Sequence, residues 1–228
     1  MTETVALAII LIPCLVIAIV FHEVAHGWVA NLLGDPTARE QRRLSLNPLR
    51  HVDPIGTVVL PGILALTGAP VFGWAKPVPV DARRLDNPRY GMMAVAAAGP
   101  GTNFILALLG AIALGLLARG LSGEPGTAMA LAVTGLNYFI VINLFLGLFN
   151  LIPLPPFDGS HIVEGLLPRD LARKYSRLRP LGLPLLFLLL LVVPWLFPGL
   201  GIVEKVIVPP VEWAREHFIR LAIAVAGG

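Results

Sequence analysis

The segment His22-Glu23-Val24-Ala25-His26 is the part of the chain best suited to chemistry. In an α-helix, residues four apart lie on one face, so both imidazoles can bind the same metal ion. Glu23 lies beside them and can accept a proton from a water molecule at that metal. Catalytic zinc commonly has three protein ligands and one open position. The spacing therefore predicts a zinc site with His22 and His26 as two ligands and Glu23 as general base.

A third ligand must come from another part of the chain, and Asp158 is the best candidate. It lies near the end of NLIPLPPFDG (150–159), where prolines break a helix and remove backbone donors. Gly159 permits an unusual turn directly after the carboxylate. Glu164 is the next acidic residue and competes as a ligand. His161 either supports a ligand through a hydrogen bond or is an ordinary interface histidine.

Two asparagines lie in apolar runs, where a side-chain amide needs a buried partner. Asn103 ends the segment AGPGTN (98–103), whose small residues allow close approach of helices. Its amide is a candidate to hold a substrate carbonyl or the oxyanion of the reaction, and it is equally a candidate for joining helices. The same two interpretations apply to Asn150, where packing or capping is slightly favoured.

The composition indicates that membrane-spanning elements position these residues. Hydrophobic residues make up 56% of the 228-residue chain and charged residues 14%, and the mean hydropathy is +0.80. Soluble domains carry about 25% charged residues, so these values argue against a soluble enzyme or a disordered chain. The net charge of +3 is not gathered into a basic stripe with aromatic residues, which argues against nucleic acid as a partner. Cys14 is the single cysteine, which excludes an internal disulfide.

Apolar runs of about 20 residues are long enough to cross the hydrocarbon core. They predict an all-α multi-pass integral membrane protein with four to six transmembrane helices. The first helix covers 4–33 and ends at Gly34-Asp35-Pro36. Prolines and glycines in the next apolar stretch predict a re-entrant or surface hairpin over about 54–80. Further spans are predicted over 91–118, 127–152 and 181–201, and the tail over 203–226 is either a surface helix or a final span.

Lysines and arginines indicate the orientation in the membrane. The segments 31–53, 73–90 and 168–180 hold 13 of the 17 basic residues. Cytoplasmic loops are the ones rich in lysine and arginine. We therefore predict an N-terminus outside and a cytoplasmic loop over 168–180. His22 and Asp158 then both lie toward the cytoplasmic side at similar depth, as a shared metal requires.

Three motifs in this order resemble those of the site-2 protease family of intramembrane zinc metalloproteases, in its compact bacterial or archaeal branch. They are HEVAH, AGPGTN and NLIPLPPFDG. The resemblance covers about residues 5–166 and includes HVDPIGT (51–57) and FGWAKPVPV (72–80). It implies a single membrane-embedded protease domain over 1–228, in which helices over about 180–226 have no assigned role.

The resemblance also implies a function. One Zn²⁺ per chain would be held by His22, His26 and Asp158, with Glu23 as base. The enzyme would cleave within or beside a transmembrane segment of a membrane protein, such as an anti-sigma-type regulator or a remnant signal peptide. Its location would be a bacterial or archaeal cytoplasmic membrane, in contact with lipid. The segment 72–80 would be an edge strand that pairs with the unwound substrate.

Three other functions fit some of the same residues. A transporter or metal channel also places His and Asp within a membrane, but it predicts repeated halves that the chain does not show. A non-catalytic relative would bind membrane helices without cleaving them. A membrane heat-shock metalloprotease shares the HExxH pattern but not AGPGTN or the Asp-Gly pair. The oligomeric state stays open.

Overall fold

The computed structural model describes residues 3–67, 73–120, 126–197, 199–201 and 203–228. These ranges are mostly helical and contain no strand. The α-helices are α1 (Glu3–Leu32), α2 (Thr37–Glu40), α3 (Leu60–Thr67), α4 (Pro88–Arg119), α5 (Thr127–Asn150), α6 (Asp158–Leu166), α7 (Arg169–Tyr175), α8 (Gly182–Phe187), α9 (Val193–Leu196) and α10 (Val208–Ala226). Short 3₁₀ or π turns lie at Pro48–Arg50, Pro54–Val59, Ala82–Arg84, Ser176–Leu181, Leu188–Val192 and Val203–Ile207.

Four helical stretches in the described part of the chain are long and apolar enough to cross a membrane. They are Leu7–Leu32, Pro88–Arg119, Thr127–Asn150 and Arg169–Leu196. Each exceeds the roughly 20 residues that the hydrocarbon core requires. The prediction of an all-α multi-pass membrane protein is confirmed, with helix ends within a few residues of the predicted ones for the first three spans.

Helix α4 is the centre of the bundle and contacts α1, α5, α6 and α10. Its buried residues toward α5 and α10 are mainly small, which lets the neighbouring backbones approach. A Cβ atom at Gly110 would already lie 3.1 Å from the side chain of Ile140. The main hydrophobic cluster comprises Ala107, Ala111, Leu114, Ile140, Leu144, Ile207, Val211, Ala214 and Ala222.

The basic stretch predicted as a cytoplasmic loop over 168–180 is helical and leads into the fourth candidate span; its side of the membrane stays a prediction. Residues Arg169–Tyr175 form α7, and a 3₁₀ turn continues to Leu181. Asp170 and Arg173 pair at 2.5 Å across one helical turn while Ala172 is buried. Basic residues indicate a side of the membrane, but they do not prevent a helix whose charged side chains point outward.

The C-terminal helix α10 packs against α4 and α5, so it is part of the bundle rather than a separate surface helix. Its buried residues are Val211, Ala214 and Ala222. At Gly115 of α4, an added Cβ would collide with the carbonyl of Ala222. Its buried residues are apolar and its charged residues are exposed, although Trp213 and Ile223 are exposed as well, and the helix is not among the four candidate spans.

The predicted hairpin over 54–80 consists of a helical arm and an extended arm; residues 68–72 lie outside the described ranges. Asp53 begins the helical arm because its Oδ1 accepts from the amides of Ile55 and Gly56. The arms meet where the Trp74 amide donates to the Gly56 carbonyl at 3.1 Å. In the extended arm, residues 73–81, the backbone forms no ladder with another strand in the described chain.

The Asp35 carboxylate fastens the end of the extended arm to the chain just after α1. Asp35 is completely buried, and its Oδ2 accepts from the Asp81 amide at 2.7 Å. Hydrogen bonds from the Arg83 side chain lower the pKa of the Asp81 carboxyl to about 2. The ion pair with Arg83 therefore favours the ionised carboxylate in this segment, which lies outside the membrane-spanning helices.

Candidate metal centre

Two helices bring His22, His26 and Asp158 together. The histidines lie one turn apart on α1 and are buried, and Asp158 is the first residue of α6. The two Nε2 atoms are 3.0 Å apart, and they lie 3.2 and 3.4 Å from Oδ2 of Asp158. Ligand atoms about 2.0–2.1 Å from a tetrahedral zinc are roughly 3.3 Å from one another. The triangle therefore has the size of three zinc ligands.

Hydrogen bonds on the far side of each ring determine which nitrogen is free. Nδ1 of His22 lies 2.6 Å from Oδ1 of Asn103, and Nδ1 of His26 lies 2.7 Å from the Val95 carbonyl. Both partners are acceptors, so each Nδ1 carries the proton and donates it. In a neutral imidazole the other nitrogen, Nε2, then has a lone pair for a metal.

The Asp158 carboxylate also has the character of a metal ligand. Its Oδ2 is buried and has no hydrogen-bond partner among the described residues. A buried carboxylate oxygen without a donor is costly, and two facing imidazole lone pairs add to that cost. A divalent cation in the triangle would satisfy all three atoms at once. The donor set therefore fits zinc.

The first glycine of AGPGTN makes room for the two rings. A Cβ atom at Gly99 would lie 2.5 Å from Cε1 of His26 and 2.6 Å from Nε2 of His22. Helix α4 can therefore approach the metal-binding face of α1 only with glycine at this position. At Gly101, one half-turn further, an added Cβ would meet nothing within 4 Å.

Contacts at both ends of α6 position Asp158. A Cβ atom at Gly159 would collide with the carbonyl of Leu151, so glycine is needed where the chain turns into the helix. At the other end, Arg89 of α4 donates to the carbonyl of Gly165 at 3.1 Å and to that of Leu167. An arginine at a helix C-terminus also interacts favourably with the helix dipole.

The other acidic and histidine candidates near the site have different partners. Glu164 accepts a hydrogen bond from Arg179 at 2.5 Å, and the same guanidinium lies 3.4 Å from Nδ1 of His161. Within the described chain, the cluster with metal-ligand spacing consists of His22, His26 and Asp158.

Asn103 is completely buried, and both the oxygen and the nitrogen of its side-chain amide have hydrogen-bond partners. Besides the contact of its Oδ1 with His22, its Nδ2 donates to the Ala18 carbonyl at 3.2 Å and to Oδ1 of Asn143 at 2.9 Å. The amide thus orients His22 in this structure, and a contact with substrate stays a prediction. Asn143 was missed from the sequence, although it is a further amide in the apolar run of α5.

Asn150 lies at the end of α5 and donates to the carbonyl of Leu146 at 2.9 Å, one turn back in its own helix. This bond suits the packing or capping interpretation, and the substrate role stays a prediction. Glu23 is half-buried, and its Oε2 accepts from the backbone amide of Val78 at 2.8 Å. The sequence did not predict that contact.

Comparison with known proteins agrees with this geometry. The sequence model for peptidase family M50 matches residues 121–193. A protein of Bacillus subtilis named "Putative zinc metalloprotease YwhC" is 38% identical over 220 residues, which cover 94% of this chain and 91% of that protein.

Two mycobacterial proteins are also similar, each named "Putative zinc metalloprotease Rip2". The one from Mycolicibacterium smegmatis is 28% identical over 83% of this chain and 70% of its own length. The one from Mycobacterium tuberculosis is 27% identical over 83% of this chain and 73% of its own length. No solved structure gives a significant match.

The His–His–Asp cluster with zinc-ligand spacing, the four apolar helices and the similarity to proteins named zinc metalloproteases together indicate a membrane zinc metalloprotease. The chain belongs to the site-2 protease family of zinc metalloproteases, peptidase family M50.

Proposed function

We propose that this protein is an intramembrane zinc endopeptidase, a single domain that cleaves peptide bonds in or beside transmembrane segments of membrane proteins. The observation that carries the proposal is the buried triangle of His22, His26 and Asp158 inside an apolar bundle, with Glu23 on the same turn of α1. One zinc ion bound there would act as a Lewis acid and lower the pKa of a coordinated water molecule.

Glu23 is the general base in this proposal. Its side chain accepts a proton from the attacking water and passes it to the leaving amine of the scissile peptide. Each Nδ1–H of the two histidines donates to an acceptor on α4, which leaves Nε2 of each ring as the nitrogen that would bind zinc. Their orientation is thus fixed before substrate binds, so no reorganisation is needed during the reaction.

The depth of the site supports a substrate that must unwind. The ligand residues lie in or beside apolar helices, and the carbonyls of a helical substrate are occupied by its own hydrogen bonds. A transmembrane segment with a weak helix, such as that of an anti-sigma-type regulator or a remnant signal peptide, is the proposed substrate class. We place the site toward the cytoplasmic side of a bacterial or archaeal cytoplasmic membrane because the flanking segments are rich in arginine.

Zinc content of the detergent-purified protein is the first test. We expect near one zinc per chain in the wild type and in Glu23→Gln, because Glu23 is not a ligand. Asp158→Ala should lose most of its zinc. Absence of zinc from folded wild-type protein would refute the proposal. Full zinc retention in Asp158→Ala would move the third ligand to another residue, with Glu164 and His161 examined next.

Cleavage is tested in proteoliposomes with two tagged single-span reporters, one carrying an anti-sigma-type segment and one a signal-peptide remnant. Mass spectrometry of the fragments locates the cut, which we expect within or just beside the span. Glu23→Gln should lower the rate by about 10²-fold or more, the range typical of general base catalysis. Near-wild-type turnover by Glu23→Gln would refute the mechanism. Reporter binding without cleavage by zinc-loaded wild type would favour a protein that sequesters membrane helices.

A further inference from the structure

The backbone amide of Val78 is isolated by its neighbours. Pro77 and Pro79 have no N–H group, so Val78 carries the single backbone donor of this Pro-Val-Pro triplet. That donor points at Oε2 of Glu23, at a distance of 2.8 Å. A hydrogen bond to an ionised carboxylate is about twice as strong as one between neutral groups. The extended arm thus delivers one amide to the glutamate of the metal-binding motif.

Contacts on both sides of the triplet fix the amide in place. Two residues earlier, the Lys76 amide donates to the His51 carbonyl at 2.8 Å, and the Lys76 carbonyl accepts from Arg43 at 2.8 Å. Three residues later, the Asp81 amide donates to Asp35. Because prolines also restrict the backbone, this stretch has little freedom to move away from α1.

The face of α1 is shaped to receive Val78. A Cβ atom at Gly27, the residue after His26, would lie 2.7 Å from Cγ1 of Val78 and 2.7 Å from Cδ2 of Leu44. Glycine is a poor residue for a helix interior, so its presence here is explained by the close approach of the arm. The Val78 side chain is buried in this contact.

We infer that the Val78 amide is a positioning group for the base, holding Oε2 of Glu23 so that Oε1 is presented to the attacking water. The inference rests on the proposed role of Glu23. No donor among the described residues contacts Oε1, so the two oxygens are in different environments. A carboxylate fixed at one oxygen cannot rotate away from the reacting position, and correct placement of a base contributes to the rate.

Hydrogen–deuterium exchange tests the contact without any need for activity. Within residues 76–80, exchangeable backbone amides occur at Lys76, Val78 and Val80 alone. Glu23→Ala should raise the exchange rate of the Val78 amide at least about tenfold, since its acceptor is removed. The Lys76 amide, bonded to His51, is the internal control and should keep its rate. Unchanged exchange at Val78 would overturn the inference.

Kinetics test the consequence for catalysis, with a fluorescence-quenched peptide that spans the reporter cleavage site. An amide-to-ester replacement at Val78 removes the N–H and keeps the side chain, and Val78→Pro is a second way to remove it. Both should lower kcat at least about tenfold, with KM within twofold and zinc content unchanged. The matched control is an amide-to-ester replacement at Leu46, an exposed residue outside 72–80 whose amide donates to no described residue, and it should retain wild-type kcat.

The same removal of the Val78 amide in a Glu23→Asp variant distinguishes positioning of the glutamate from a general effect on the rigidity of the arm. The shorter side chain of Glu23→Asp cannot reach Val78, so removing the amide in that background should change kcat less than twofold. Wild-type kcat in the Val78 ester variant, or an equal loss in the Leu46 ester variant, would overturn the inference while leaving the protease function intact. A wild type that cleaves nothing would instead refute the proposed function. The exchange experiment would still show whether the Val78 amide is hydrogen-bonded to Glu23.

Discussion

The two sides of the metal centre are built differently. His22 and His26 belong to a helix of 30 residues, and each Nδ1 has an acceptor on the central helix α4. Asp158 begins a helix of nine residues, and its Oδ2 has no hydrogen-bond partner among the described residues. The histidine side is thus held from behind by hydrogen bonds, whereas the aspartate side is held by the docking of a short helix.

The difference indicates which ligands of a metal site inside a membrane can be oriented before the metal binds. The rings can be buried and oriented before the metal arrives, because Nδ1 of each ring is satisfied by Asn103 or by the Val95 carbonyl. A carboxylate cannot be buried in the same way without a cation, since the uncompensated charge is costly. The aspartate is therefore the ligand whose position should depend most on occupancy of the site.

The largest effect is expected from filling the space beside Cε1 and Nε2 of the two histidine rings. In Gly99→Ala the new Cβ would lie 2.5–2.6 Å from atoms of both rings, and neither ring can retreat without losing its Nδ1 hydrogen bond. We expect zinc affinity to fall by more than about 100-fold, with a loss of stability of about 1–3 kcal/mol from overpacking. Zinc titration and thermal unfolding in detergent measure the two quantities.

Gly101→Ala is the matched control for that variant. It adds the same methyl group to the same helix two residues away, where an added Cβ meets nothing within 4 Å. Wild-type zinc affinity is expected. If both glycine variants lost zinc equally, the effect would come from α4 as a helix and not from the space around the rings.

A smaller effect is expected from removing the acceptor on His22. Asn103→Ala leaves Nδ1 of His22 without its partner and also removes two bonds, to Ala18 and Asn143. Loss of such an outer partner typically costs 10–100-fold in metal affinity. Competition with a zinc chelator measures this. Asn137→Ala is the control, because that amide bonds a carbonyl of its own helix; an equal loss there would contradict the orienting role of Asn103.

The histidine side could be predicted from sequence better than its supports. The spacing of His22 and His26 on a helix, and the small residues around Gly99, are local patterns with a direct geometric meaning. Asp158 followed from the proline-rich segment and from matching depth. The orienting amide Asn143 and the Val78 donor were not predicted, because which side chain faces which depends on how helices far apart in sequence pack.

The same reasoning explains the differences in the fold. Four spans followed from runs of apolar residues, whose length has a physical requirement. The helicity of 169–181 and the docking of α10 did not follow. Charged residues in a short helix resemble those of a loop, and an apolar stripe such as that of Val211, Ala214 and Ala222 does not identify its neighbour.

The smallest effect is expected on the aspartate side. Arg89 donates to the Gly165 carbonyl at the end of α6 and to the Leu167 carbonyl just after it, and so fastens the helix that begins with Asp158. Arg89→Ala leaves Gly159 and the packing of Gly165 against Met93 in place. We therefore expect zinc affinity to fall only about two- to tenfold, less than in Asn103→Ala. Arg89→Lys keeps the charge but cannot donate to both carbonyls at once, and it should retain more zinc affinity than Arg89→Ala.

A loss of affinity in Arg89→Ala greater than in Asn103→Ala would contradict this order of effects. The docking of α6 would then contribute more to zinc binding than the hydrogen bonds to Nδ1 of the histidines.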